Sequence, residues 1–452
     1  MRRQKFRRVG YVCLSAAWLL GAAEICRAQT DPGPRGGAAA AGGAIAGLTP
    51  GELDFFLNVG TPTFAEIEGV ADGLGPRFNL DSCGGCHAHP ALGGSSPALN
   101  PQVSRAATMA PGNTVPAFLT SNGPVREVRF VKNPDGSADG GVHALFTISG
   151  RSDKPNGCSI QQPDFAGQQR RNNIIFRIPT PTFGNGLIEA ITDTSLRNNL
   201  SSDPGGLKSK AGISGHLNTS GNDGTITRFG WKAQNKSLLV FSGEAYNVEM
   251  GVTNEAFPNE REEDPACNSV ATPNDHTAFH IGSAGVSDLA AFAGFMKFLD
   301  QPTPVASFGS VTAGSVTNGR VLFASTGCAL CHTPTLMTGP ATTAALSKKA
   351  ANLFSDLAVH HMGSTLADGV TQGAAGPDEF RTAPLWGLGQ RIFFLHDGRT
   401  QDLMQAISAH STDCGNHGNG SCTESEANQV VRNFNALSNS QKQDLLNFLR
   451  SL

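Results

Sequence analysis

Two copies of a Cys-x-x-Cys-His motif are the residues whose types and spacing most clearly predict chemistry. The first copy, CGGCH, occupies positions 83–87, and the second, CALCH, occupies positions 328–332. This spacing is typical of c-type haem attachment, because two thiols add to the vinyl groups of the porphyrin and the adjacent imidazole binds the iron. We therefore predict two covalently bound haem c groups. The residues predicted to hold them are Cys83, Cys86, His87, Cys328, Cys331 and His332.

Two other uses of paired cysteines fit these motifs less well. A structural zinc site needs four ligands in one cluster, and no matching cysteine pair lies near either motif in the sequence. A thioredoxin-like dithiol lies between a strand and a helix, whereas Gly, Ser and Pro surround positions 83–87. Haem attachment is therefore the prediction. This cofactor is attached outside the cytoplasm, so the prediction also requires that the protein is exported.

The first 28 residues have the parts of an export signal. Positions 1–8 carry five basic side chains, positions 9–23 are mainly apolar, and small residues stand at Cys26 and Ala28. Cleavage would leave 28 basic and 36 acidic side chains, a balance that disfavours binding to nucleic acid or to an anionic membrane. No later apolar run has the length of a transmembrane helix. We expect an exported, periplasmic bacterial protein without a membrane span after signal cleavage.

Four further cysteines remain in the chain after signal cleavage. An even number of cysteines in an exported protein predicts two disulfides, and three pairings are possible. We favour Cys414 with Cys422, which closes a short Gly/Asn loop, and Cys158 with Cys267. Four free buried thiols are the alternative.

Two similar amphipathic helices divide the chain into halves. One is predicted from Ser287 and the other from Ser440, with Ser287 and either Ser438 or Ser440 as their caps. The segment QPTP at 301–304 follows the first helix and marks the boundary between the halves. Alternating apolar residues between about 125 and 235 predict short strands and long loops. This region is predicted to be an insertion in the first half, with a separate β domain as the alternative.

Three segments besides the motifs carry a resemblance to a known family: SDLAAFAGFMKFLDQPTP from position 287, FRTAPL at 380–385 and LHDGR at 395–399. Over roughly 48–452 the chain resembles the di-haem oxidoreductases of peroxidase type, distant relatives of bacterial di-haem cytochrome c peroxidase. The resemblance implies a mainly α fold of two cytochrome-c-like helical haem domains, with a loop-rich, β-containing insertion in the first. It also implies that one haem accepts electrons while the other meets the oxidant. Calcium between the domains is a further cofactor of those peroxidases, and its ligands cannot be assigned in this sequence.

The predicted organisation has four parts. They are a signal peptide at 1–28, a flexible Gly/Ala/Pro-rich linker at 29–47, an N-terminal haem domain at 48–304 with its insertion at about 125–235, and a C-terminal haem domain at 305–452.

The resemblance also implies a second iron ligand in the C-terminal half. In the related peroxidases a Met binds that iron fourteen residues after the His of a His-Asp-Gly motif. Counting fourteen residues from His396 leads to His410 in this chain. We therefore predict that His332 and His410 hold the second haem, with Met362 as the alternative to His410.

The first haem is expected to be the reactive one. The peroxidases can place a second His sixteen residues after the first iron ligand, but Val103 occupies that position here, so an open or water-bound site is expected. Cleavage of peroxide also needs an acid–base group, and the positions matching the distal Glu of the peroxidases are the apolar Val240 and Phe241. The remaining candidates for catalytic roles are Trp231, Glu244, Glu249 and His396.

Three functions follow from these residues. The favoured one is an oxidoreductase of peroxidase type that receives electrons from a small periplasmic donor protein. The second is a non-catalytic electron-transfer cytochrome that exchanges electrons with a donor or acceptor protein. The third is a di-haem oxygenase with an apolar distal pocket.

The haem content tests this interpretation directly. Protein matured with a cytochrome c assembly system should contain two covalent haems per chain in a pyridine haemochrome assay, because each motif supplies two thiols and one imidazole. One haem or none would contradict the interpretation.

Overall fold

The computed structural model describes residues 29–109, 112–138, 145–260, 264–275, 279–280, 283–415 and 422–452. The signal peptide predicted at 1–28 lies outside the described residues. The α-helices are α1 Pro50–Phe55, α2 Thr61–Ala65, α3 Cys83–Cys86, α4 Pro101–Met109, α5 Phe165–Arg170, α6 Asn185–Ala190, α7 Asp193–Ser201, α8 Leu207–Ala211, α9 Leu238–Met250, α10 Asp288–Phe298, α11 Ala313–Ser325, α12 Leu403–Ala409, α13 Asn428–Asn435 and α14 Asn439–Ser451.

The strands are short and form two-stranded antiparallel sheets. They pair as β1 Arg77–Phe78 with β3 Phe146–Thr147, β2 Glu127–Phe130 with β4 Ile174–Arg177, β5 Phe279–His280 with β6 Ser283–Ala284, β7 Leu336–Met337 with β8 Ala350–Ala351, and β9 Val359–His361 with β10 Glu379–Arg381. Helices therefore predominate over strands, as the sequence predicts.

The long helices begin at the polar caps that the sequence predicts. The Ser287 side chain accepts a hydrogen bond from the backbone of α10. Of the two candidates for α14, Ser438 is the cap, and it forms a reciprocal capping box with Gln441. Helix α9 ends at Gly251, whose φ of 75° favours glycine. Helix α9 packs on α10, and α11 packs on α14, so each half contains a contact between two long helices.

The region at 125–235 contains more helix than the sequence predicts. Strands β2 and β4 pair there in register, and four short helices, α5 to α8, lie between and after them. One run of alternating apolar residues spans 142–148. Its residues Val142 and Ala144 lie outside the described residues, while Phe146 lies in β3.

The apolar core crosses the predicted boundary at 301–304. The larger cluster of buried side chains contains Phe64 and Phe295 of the first half together with Leu346 and Leu353 of the second half. A smaller cluster lies wholly in the second half, between α11, α12, α13 and α14. The second half thus contributes to both cores, which holds the two motifs in one packed structure.

The N-terminal segment at 29–47 is not the flexible linker that its composition predicts. The backbone of Ile45 donates to Phe298 at 2.8 Å, and that of Arg35 donates to Gly389 at 2.6 Å, so the segment contacts both halves. Asp31 forms two hydrogen bonds of 2.7 Å with Arg450, whose side chain has no exposed surface. The composition of the segment does not reveal these anchors, because they join residues more than 250 positions apart.

The four remaining cysteines are paired as the sequence analysis favours. Cys158 and Cys267 have Cα atoms 4.5 Å apart and tie the middle of the chain together, and Cys414 and Cys422 have Cα atoms 5.7 Å apart across a short loop. In the described residues, no helix combines the length and the apolar character needed to cross a bilayer.

The Asp31–Arg450 pair leads to a stability prediction. We expect Asp31→Asn to lower the free energy of unfolding by about 3–5 kcal/mol, because Arg450 would remain buried without its partner charge. Urea denaturation measures the change. Asp135→Asn is the matched control, since Asp135 is exposed and its carboxylate contacts Ser137 alone among the hydrogen bonds described. Equal losses in the two variants would contradict the prediction.

Candidate functional site

The first motif lies at the wall of a cavity, which we call cavity 1. Helix α3 carries Cys83 and Cys86, and His87 follows it with its backbone N–H bonded to the Cys83 carbonyl at 2.9 Å. The Nδ1 atom of His87 lies 2.9 Å from the carbonyl oxygen of Gly94. A carbonyl can only accept, so Nδ1 carries the hydrogen and Nε2 keeps a lone pair for a metal. Burial lowers the pKa of His87 to about 4, which keeps the imidazole neutral as a metal ligand must be.

The second motif lies at the wall of a separate cavity, cavity 2, with the same arrangement. His332 Nδ1 lies 3.0 Å from the carbonyl oxygen of Phe354. Burial and the neighbouring His410 lower the pKa of His332 to about 4. His332 therefore also presents a neutral Nε2 to its cavity.

His410 lines cavity 2 from the end of α12. Its Nδ1 lies 2.7 Å from the carbonyl oxygen of Ala406, so its Nε2 is unprotonated, and burial lowers its pKa. Met362 lines the same cavity, and both predicted ligands are thus within it. His360 is a third histidine of this wall, but its nitrogens contact Glu426 at 2.7 Å and Asp356 at 3.1 Å, so neither is available to iron.

Two buried arginines show that cavity 2 fits a haem. Arg381 and Arg391 line it, and the Nε atom of each is buried without a hydrogen-bond partner in the described structure. Burial lowers the pKa of both side chains to about 10, and for Arg381 the nearby Arg391 adds to the effect. Among the described residues, no carboxylate contributes to the pKa shift of either arginine. Two buried cations need anions, and the two propionates of a haem would supply them. Arg381 stands in the FRTAPL segment, but the sequence pattern did not predict this role.

The wall of cavity 1 combines a mainly apolar surface with several charged side chains, so it is not the wholly apolar pocket of the oxygenase alternative. Phe241 lines it as expected, but Val240 is not among its lining residues. Helix α9 instead presents Glu244 and Glu249 on that wall. Residues that are three to four positions apart lie on the same face of a helix. Glu244 follows Phe241 by three positions and Glu249 by eight, so both lie on the face of α9 that Phe241 presents to the cavity.

The two carboxyl groups of α9 differ in their surroundings. Glu244 accepts hydrogen bonds from Asn235 and, at 3.4 Å, from Gln234. Burial raises the pKa of Glu249 to about 8, and the nearby Glu127 adds to the effect, while Arg129 opposes it. Glu249 thus keeps its proton at neutral pH within cavity 1. The sequence predicts both carboxyl groups as catalytic candidates, but it does not show that burial raises the pKa of Glu249.

Trp231 lies between the two cavities and lines both of them. Its Nε1 donates to the Ile178 carbonyl at 3.0 Å, and its ring centroid lies 6.4 Å from that of His396. His396 stacks on Phe380 at 4.2 Å, and burial together with Arg177 lowers its pKa. The candidates Trp231 and His396, distant in sequence, therefore come together, and Phe380 joins them from FRTAPL. The other tryptophan of the described residues, Trp386, is part of the larger apolar core.

Comparison with known proteins identifies a family. A family model described as "Di-haem oxidoreductase, putative peroxidase" matches residues 128–452. A solved structure of hydrazine synthase from Kuenenia stuttgartiensis, pressurised with xenon, matches 59% of this chain and 91% of its own, at 14% sequence identity and a TM-score of 0.29. No curated protein matches the sequence.

The position of His410 leads to a spectroscopic prediction. His410→Met should raise the reduction potential of the second haem and produce the weak long-wavelength charge-transfer band of Met-bound ferric haem, because sulfur favours the ferrous state more than imidazole does. Potentiometry and absorption spectra measure both effects. Met362→Leu is the control and should leave spectrum and potential nearly unchanged. If the wild type already shows the band and Met362→Leu removes it, Met362 is the ligand.

Proposed function

The chain belongs to the di-haem oxidoreductase family, and we propose that it reduces hydrogen peroxide with electrons that pass between two covalent haem c groups. The observation that carries this proposal is the position of the Glu249 carboxyl group, whose pKa burial raises to about 8, on the wall of cavity 1 that His87 also lines. An acid at that place is what cleavage of an O–O bond requires.

The two cavities support a division of roles between the haems. Cavity 2 holds two histidines, His332 and His410, with free Nε2 atoms, which suits a closed site that only transfers electrons. His87 is the one histidine among the described residues that line cavity 1. The haem there would supply an iron that binds peroxide and exchanges electrons.

Glu249 would manage the proton that the reaction needs. Reduction of one hydrogen peroxide to two waters consumes two electrons and two protons. The carboxyl oxygen of Glu249 holds a proton at neutral pH and can give it to the oxygen that leaves as water. Arg129, on the same wall, favours the anionic form of Glu249 that remains, because it acts to lower the pKa of that carboxyl group, and the Glu127 carboxylate paired with Arg129 offsets this effect.

Trp231 supports electron transfer between the haems. Its indole ring is buried and reaches the walls of both cavities, so it shortens the path that an electron must cross. His396 and Phe380 extend this aromatic group on the cavity 2 side. Burial has the largest effect on the pKa of His396 and lowers it. The nearby positive charges of Arg177 and Lys232 lower this pKa further, so the imidazole is neutral.

We also infer that the chain forms two cytochrome-c-like haem domains in a periplasmic bacterial protein that receives electrons from a small donor protein. The predicted export signal and the disulfides Cys158–Cys267 and Cys414–Cys422 support this setting, since disulfides persist outside the cytoplasm. Calcium remains a proposed further cofactor without assigned ligands.

A non-catalytic electron carrier is the second candidate function. Met250 and Met296 line cavity 1, and a thioether bound to the first iron would close it to peroxide. The oxygenase with an apolar pocket is disfavoured, because Glu127, Arg129 and Arg177 are part of the wall with the carboxyl groups of α9.

The role of Glu249 leads to a kinetic prediction. Glu249→Gln should slow the reaction with peroxide by about 10²-fold, because the amide cannot give up a proton. In the wild type the rate should fall as the pH rises through about 8, since Glu249 loses its proton there, and this fall should be absent in the variant. Stopped-flow absorption of the fully haem-loaded protein measures the rate.

Glu244→Gln is the matched control, because Glu244 lies on the same helix and cavity wall. It should change the rate far less and keep the fall above pH 8. Equal effects of the two substitutions would contradict the role of Glu249. A wild type that does not react with peroxide and has a six-coordinate first haem would instead support the electron carrier.

A further inference from the structure

Residues 29–452 contain a single tyrosine, Tyr246, and it lies in the wall of cavity 1. Helix α9 carries it, and this helix packs on α10. The side chain is buried, with 1% of its surface exposed. Neither haem attachment nor the acid–base role of Glu249 uses this residue, although a phenol is one of the few side chains that can be oxidised reversibly.

A chain of aromatic rings connects Tyr246 with His87, the predicted ligand of the first iron. The ring of Tyr246 meets that of Phe292 edge-on, with the two centroids 5.0 Å apart. Phe292 in turn lies 6.2 Å from Phe64. The last contact, between Phe64 and His87, measures 6.0 Å. All four side chains line cavity 1, so the phenol ring lies within reach of electron exchange with a haem bound there.

The hydroxyl group of Tyr246 contacts two carboxyl groups. It donates to Oδ2 of Asp288, the first residue of α10, at 3.3 Å, and Glu68 is a second hydrogen-bond partner. Burial raises the pKa of Asp288 to about 6, and the nearby Asp275 adds to the effect. Burial and the neighbouring Asp288 raise the pKa of Glu68 to about 8. At pH 7 Asp288 is therefore ionised, while Glu68 keeps its proton.

An ionised carboxylate at this place suits the oxidation of a phenol. A phenol gives up an electron readily only if its proton leaves in the same step, because the phenol radical cation is a very strong acid. Asp288 can accept that proton along the hydrogen bond that already exists. Burial raises the pKa of Tyr246 itself, so the hydroxyl group still carries its proton when the step begins.

Trp231, in the same wall, has no comparable proton acceptor. Its indole N–H donates to a backbone carbonyl, which does not take up a proton. An oxidised indole that keeps its proton is a cation, and Arg177 and Lys232 nearby share the single carboxylate of Asp368. The surroundings therefore disfavour a positive charge on Trp231 and favour oxidation of Tyr246.

We propose that Tyr246 is a redox-active residue, which gives one electron to the haem of cavity 1 after peroxide has oxidised it and passes its proton to Asp288. This role rests on the proposed reaction with peroxide, which supplies the oxidant. The O–H bond of Tyr246 breaks, Oδ2 of Asp288 takes the proton, and a neutral phenoxyl radical remains. An electron from the donor protein and the proton returned by Asp288 then restore the phenol. Tyr246 thus stores one of the two oxidising equivalents of peroxide until an electron arrives.

Electron paramagnetic resonance of freeze-quenched samples tests the proposal. The haem-loaded ferric protein mixed with hydrogen peroxide should show an organic radical signal. This signal should narrow in protein made with ring-deuterated tyrosine and should not change with ring-deuterated tryptophan. Because residues 29–452 contain one tyrosine, the label assigns the radical to Tyr246. Tyr246→Phe, which removes only the hydroxyl group, should abolish the signal.

The proton acceptor is tested by Asp288→Asn. This substitution should slow formation of the radical on the order of 10²-fold, because the amide does not take up the proton. Glu66→Gln is the matched control, since Glu66 is an exposed carboxyl group of the first half, and it should leave the rate unchanged. Equal rates in the wild type and in Asp288→Asn would contradict the role of Asp288.

A photogenerated ruthenium(III) tris-bipyridine complex oxidises the same haem-loaded protein without peroxide. If the protein does not react with peroxide but this oxidant produces the tyrosine signal, the redox role of Tyr246 is supported and the proposed function is wrong. If the protein consumes peroxide without a tyrosine signal, the redox role is overturned and the proposed function stands. Absence of the signal with both oxidants would also overturn the redox role.

Discussion

Loss of hydration inside the two cavities is the physical constraint on which the candidate chemistry depends. Burial disfavours the charged form of every ionisable group, and its effect differs with the group. It lowers the pKa of His87 and His332 to about 4, so both remain neutral ligands, and it raises the pKa of Glu249 to about 8, so this carboxyl group remains a proton donor. Burial alone thus keeps the histidine ligands neutral and the acid protonated.

Arginine cannot respond to burial in the same way, because its pKa starts so high that it stays charged. Arg381 and Arg391 therefore remain cations in the wall of cavity 2. Such charges are costly without anions, and the propionates of the proposed haem would supply them. Arg450 is also a buried cation, but its charge is compensated within the chain by Asp31 of the N-terminal segment.

Packing across the two halves determines how the cavities relate. The larger core draws in residues of the second half, and the N-terminal segment contacts both halves. These contacts leave a thin partition between the cavities, in which Trp231 takes part in both walls. The proposed electron transfer would benefit from this packing, since the packed core would then set the length of the path.

Local patterns in the sequence determined the parts that depend on neighbours in the chain. The two haem motifs, the caps Ser287 and Ser438, and the short Cys414–Cys422 loop follow from spacing over a few residues. The tertiary structure decided whatever joins distant residues. It anchored 29–47, placed the carboxyl groups of α9 in the mainly apolar wall of cavity 1, and brought Trp231 next to His396. The physical reason is that burial and electrostatic surroundings depend on three-dimensional proximity, which a linear pattern does not contain.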